Sequence, residues 1–141
     1  MKALSLKQPW ARIMIKGYKD VENRNWRTDY RGPLLIHASK NWSQDGFDFL
    51  CGHKGLWVPR RENHVFGALI GIVDLVDCVD RHDSEWFWGD WGWIFKNPRE
   101  FKKPIPWRGN LGLFDVPDEA IERKLPALGG GDYGMEFHSN Q

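Results

Sequence analysis

A short charged segment set between two apolar ones constrains this chain most. KDVENRNW, residues 19–26, is extended in character, yet only Val21 and Trp26 in it are apolar. Alternate side chains of a strand share a face, so Glu22 and Arg24 project together, roughly 6–7 Å apart. Ahead of it, Pro9 suits the first turn of a helix, where its missing N–H costs little. Trp10, Ile13 and Met14 recur at helical spacing, and Gly17 supplies a stop at C′. Behind it, RGPLLIHAS (31–39) reads as a buried strand. A strand this charged between two elements that bury themselves has to face solvent, a partner or a groove. It is taken as the functional edge of the domain.

The rest of the chain reads as mostly β. VFGALIGIVDLVDCVD (65–80) is rich in Val, Ile and Leu, and Gly67 and Gly71 within it suggest bends or bulges of the kind a small closed barrel needs at its corners. In DWGWIFKNP (90–98), Trp91, Trp93 and Phe95 alternate onto one face, with Pro98 expected to end the strand and a second break at Pro104–Pro106. RGNLGLFDV (108–116) is expected to form the last strand, and PDEAIERKL (117–125) a short helix with Pro117 near its start. Phe47, Leu50 and Cys51 fall at helical spacing, whereas HKGLWVPRREN (53–63) and RHDSEWFWGD (81–90) read as connections.

At 141 residues the expectation is one domain, with 41% hydrophobic and 28% charged residues giving it enough of both to fold in water. Residues 1–126 form that domain, and residues 127–141, with three successive glycines, read as a flexible tail. No apolar run approaches the roughly 20 residues of a membrane span, and Met1 opens no signal-peptide pattern. Cys51 and Cys78 lie apart, which fits a reducing cytoplasm better than a disulfide scaffold.

The net charge of +1 hides an uneven distribution. Residues 1–40 hold nine Lys/Arg against three Asp/Glu, and residues 96–108 hold five against one; the intervening and following stretches are acidic. Two basic blocks could converge on one electropositive groove of the kind that holds phosphates, or could be solvated faces that pair locally.

Several motifs in fixed order carry a family resemblance: QPWA (8–11), GYK (17–19), VENR (21–24) with Trp26, RG (31–32), IHAS (36–39), GALIGIVDLVDC (67–78), WGWIFKNPREF (91–101) and PIPWRGNLGLFDV (104–116). Together they resemble the ASCH domain family of the PUA-like superfamily, over roughly residues 3–116. The resemblance implies an α+β, mostly β fold, a small PUA-like β-barrel with peripheral helices, and a cleft for nucleic acid or a nucleotide.

In that frame Arg12, Lys16, Lys19, Arg24, Arg27, Arg31 and Lys40 are the expected phosphate contacts, Trp26 the expected base platform, and Glu22 an acceptor for base amines. An aromatic ring beside a cation is the usual device for stacking an unpaired base while holding its phosphate. Trp10, Trp91 and Trp93, at periodic positions, read as core. The expected partner is RNA or another single strand, with a modified base among the ligands considered, in the cytoplasm and away from membranes; oligomeric state stays open. The rival class is an enzyme, a single-strand ribonuclease or a nucleoside amidohydrolase, with Lys19 and Glu22 in acid–base roles. A related bacterial amidohydrolase of acetylated cytidine has a lysine matching Lys19 but a threonine nucleophile where this chain has Glu22. A carboxylate does not replace that hydroxyl in acyl transfer. Lys19, Glu22 and Arg24 also fit a purely structural ion-pair network, and a protein-interaction module is the third class. The five histidines show no zinc spacing, His37 reads as a hydrogen-bonded core residue, and neither GxGxxG nor a P-loop is present, so neither metal nor cofactor is expected.

Overall fold

The computed structural model of the chain describes residues 1–124 and 135–137. Its elements run β1 (Lys2–Gln8), α1 (Trp10–Ile15), β2 (Val21–Arg24), β3 (Gly32–Trp42), α2 (Gln44–Asp48), β4 (Ala68–Val79), β5 (Trp91–Pro106), β6 (Leu113–Asp115), α3 (Asp118–Lys124) and β7 (Met135–Phe137). A π-helical turn, Phe49–His53, continues α2, and a short 3-10 turn covers Arg61–Asn63. The strands form one sheet in the order β2-β5-β4-β3-β1-β6, with β7 also on β5. Apart from β1 beside β3, every neighbouring pair is antiparallel.

β3 explains why the sheet is covered on both sides. Leu34, Leu35 and Ile36 follow one another and are all fully buried, so successive side chains enter opposite layers. Leu34 and Ile36 join Leu6, Met14, Ile15, Trp93 and Phe95 beneath α1. Leu35 faces the other way, with Leu69, Phe101, Phe114 and Ile121 of α3. Trp93 is fully buried, as its periodicity implies, and its indole N–H reaches the Trp26 carbonyl at 3.3 Å.

The sheet bends sharply but stays open, a correction to the expected barrel. Its ends, β2 and β6, are four and three residues long and do not pair with each other among the described residues. What joins the two sides is a side chain: the Arg24 guanidinium on β2 donates from Nη2 to the Ser5 carbonyl on β1 at 3.1 Å. The curvature comes from bulges. Asp74 pairs with Lys96 and Ile72 with Arg99, so β5 carries an extra residue against β4 there. Asn97 has a left-handed φ of 51° at this bulge, and Pro98, expected to stop the strand, is accommodated in it. β5 therefore runs unbroken for 16 residues.

One strand is added and one expectation changes. KALSLKQ, ahead of the first helix, is a strand, β1, whose side chains Ala3, Leu4 and Leu6 are buried. RGNLGLFDV is a strand only at Leu113–Asp115; residues 107–112 form a loop instead. The tail expected over 127–141 lies outside the described residues except for β7, which pairs with Arg99–Phe101. No described helix is long and apolar enough to cross a membrane.

Candidate functional site

The gap between the two sides of the open sheet is a cleft of about 1240 Å3. β1 contributes Ser5 and Lys7, β2 Glu22, Asn23 and Arg24, and β3 His37 and Lys40. The loop 107–112 closes one wall with Trp107 and Arg108, while Trp10 and Trp88 stand at the others. Five cationic side chains, Lys7, Lys19, Arg24, Lys40 and Arg108, face one carboxylate, Glu22. The two basic blocks of the sequence do meet here, but the second sends only Arg108.

Glu22 and Arg24 share a face of β2 as alternation requires, and the Glu22 carboxylate lies between two cations. Its Oε2 is 3.2 Å from Arg24 Nε and its Oε1 3.6 Å from Lys19 Nζ. The angle at Arg24 leaves Nε–H buried without an acceptor, although the distance suits an ion pair. Lys19 follows the left-handed turn at Gly17 (φ 87°), which brings it beneath Trp10, with Nζ 5.5 Å from the ring centroid. Nζ also donates to the Val21 carbonyl. Lys19 is only 6% exposed, and burial pulls its pKa below the ordinary lysine value, opposed by the attraction of Glu22.

The walls are held by specific polar ties. Asn23 donates from Nδ2 to the Trp86 carbonyl at 2.9 Å and accepts from the Trp88 amide at Oδ1, 3.1 Å. One amide side chain thus fixes the loop that presents Trp88, which is 71% exposed. On the opposite wall, the Trp107 carbonyl lies 2.7 Å from His37 Nε2. A carbonyl only accepts, so Nε2 carries the proton, and Nδ1 accepts from the Ser5 hydroxyl at 2.9 Å. His37 is 2% exposed and burial lowers its pKa, in keeping with a neutral ring. This matches its reading as a hydrogen-bonded core histidine, with the added task of anchoring the loop.

Of the nine residues expected at the site, Lys19, Glu22, Arg24 and Lys40 line the cleft and five do not. Lys16 pairs with Glu100 at 2.5 Å. Arg27 pairs with Asp29 at 2.7 Å, and Arg31 donates to the Thr28 and Tyr30 carbonyls. Arg12 lies on a separate groove. Trp26 does not continue the Glu22–Arg24 face because β2 ends at Arg24; its ring turns edge-on to Trp93, centroids 4.7 Å apart and planes at 87°. The aromatic walls are Trp10, Trp88 and Trp107 instead. Trp10, expected in the core from its helical spacing, is half-buried against Ile13, Leu50 and Val58 and also lines the cleft. Trp107 and Arg108, adjacent in sequence, carried the aromatic–cation signal most plainly.

A strongly curled, mostly β sheet with short flanking helices and a basic, aromatic cleft defines the class, and comparison gives it a family. Residues 4–105 match the ASCH domain, and the chain belongs to that family. Activating signal cointegrator 1 from Homo sapiens and from Mus musculus are each 32% identical to it, over 80% of this chain and 22% of theirs. The chain thus spans about a fifth of the length of these relatives. Among solved structures, an ASCH protein from Zymomonas mobilis superposes with a TM-score of 0.55 at 16% identity, covering 90% of this chain and 94% of that one. A single-residue variant of that protein gives the same TM-score, with 96% of its chain covered. At this identity the likeness concerns the fold alone.

Proposed function

We propose that the protein binds single-stranded nucleic acid, RNA foremost, in the cleft between β1, β2 and the loop 107–112. The observation that carries this reading is the pairing of five cations with three tryptophans, Trp10, Trp88 and Trp107, around one concave surface. Cations track a phosphate backbone, and indole faces stack unpaired bases whatever their sequence. Glu22 is then the acceptor for a base amine, and Lys7, Lys40 and Arg108, with no acidic partner among the described residues, meet phosphates.

Retardation of labelled single-stranded RNA on a native gel tests this directly. Arg108→Ala and Arg24→Ala should each weaken binding several-fold or more, and Arg108, being exposed, can be removed without loss of fold. A parent protein that retards no single strand sinks the reading and leaves the interaction module standing. One observation favours a second reading: Lys19 is buried in a cleft with its pKa lowered, a setting that suits proton transfer. On that reading Lys19 and Glu22 act as acid and base while water cleaves a phosphodiester bond of the bound strand, and the same incubation yields shortened product.

A further inference from the structure

We propose that a second groove binds the next stretch of the same strand, with Trp57 stacking a base and Arg12 and Arg60 holding the adjoining phosphate. The proposal rests on the cleft reading above and extends its footprint across α1. The groove has a volume of about 530 Å3 and is lined by Arg12, Phe47, Trp57, Val58, Arg60 and Asn63. None of these is acidic. Neither guanidinium has a carboxylate partner among the described residues.

Trp57 is 82% exposed, although the hydrophobic effect favours covering an indole. It is held out by a braced loop. Val58, the next residue, is 5% exposed and packs with Ile13 and Leu50, and His64 donates from Nε2 to the Pro59 carbonyl at 2.8 Å. An exposed indole in one groove with two guanidinium groups that lack a carboxylate partner among the described residues complements an aromatic base joined to an anion.

The groove and the cleft flank the same helix, α1. Trp10 faces the cleft and Arg12 the groove, two residues on in α1 and therefore ~200° around the helix. In β3, Asn41 lines the cleft, and Trp42 after it packs against Phe47 of the groove with ring centroids 5.5 Å apart. The two surfaces thus lie on either side of α1, and a strand that leaves the cleft and crosses the helix meets the same chemistry again.

Calorimetry with a trinucleotide and a dodecanucleotide of the same RNA sequence separates the two regions. Trp57→Ala and Arg60→Ala should each weaken the dodecanucleotide roughly tenfold, the effect of losing one stacked base or its charged neighbour, and leave the trinucleotide unchanged. Arg24→Ala should weaken both lengths. Trp57 and Arg60 are both exposed, so their removal leaves the core intact, and circular dichroism of each variant checks this. A dodecanucleotide held equally well by the parent and by both groove variants, while Arg24→Ala weakens it, overturns the extension and spares the cleft. A groove effect of equal size on both lengths also overturns it. A parent that binds neither length overturns the cleft reading and this extension together.

Discussion

Glu22 sits between a lysine and an arginine, and its charge and its shape can be separated. Glu22→Gln keeps the size and most of the hydrogen bonding. If the side chain orients a base or steadies Lys19 and Arg24, the variant should still bind, with a loss of about 1–3 kcal/mol at most. If it accepts a proton in a reaction, turnover should fall roughly a hundredfold while binding persists, which parallel binding and cleavage assays distinguish. The histidines act through pH. Burial lowers the pKa of both His37 and His64 below the ordinary value of 6.5. As pH falls through that value the unfolded chain takes up protons first, so stability is fully present above it and declines below it until the lower, folded values are passed. Thermal unfolding should therefore drop between pH 7.5 and about 5.5. A flat profile would mean that neither ring is held neutral by the fold.

Loop 107–112 is the element on which the cleft depends most directly. Gly109 lies against the pair that anchors it: a Cβ there would come within 2.7 Å of His37 Cε1 and 2.8 Å of Ser5 Oγ. Both neighbours belong to adjoining strands and cannot swing aside. Gly109→Ala should displace the loop and weaken RNA binding about tenfold or more, while heteronuclear spectra of the buried sheet stay largely in place. That this loop would matter was hidden in the sequence, where LGLFDV extends the apolar pattern and disguises the irregular segment before it. β1 was hidden for a related reason. Its alternation, Leu4 and Leu6 inward with Ser5 and Lys7 toward the cleft, spans only four residues and is too short to stand out. The charged β2, the left-handed Gly17 and the inward Ile13 and Met14 of α1 were legible, because each rests on a local rule. Which cations gather in the cleft was not. Lys16, Arg27 and Arg31 differ from Lys40 and Arg108 only through partners distant in sequence or turns that close on themselves.

At the scale of the whole molecule, a net charge of +1 gives little long-range steering, and the attraction for a polyanion has to come from the cleft. Three of the five cations there have no acidic partner among the described residues, and two share Glu22. The slope of log affinity against log salt for a short single strand should therefore fall between about −2 and −3.5, at roughly −0.7 per phosphate neutralised. A slope near zero would remove the cleft from the account of binding. The placement of the tryptophans also makes the protein its own optical probe. Trp93 is sealed in the core and emits independently of the solvent, whereas Trp10, Trp88 and Trp107 look onto the cleft. A base stacked on any of them should quench and shift the red edge of the intrinsic emission, to which the exposed Trp57 outside the cleft also contributes, while the emission of the buried Trp93 stays constant. Occupancy can then be followed on unlabelled protein, and Trp88→Phe, which removes the most exposed cleft indole, should take away much of the signal without taking away the cleft.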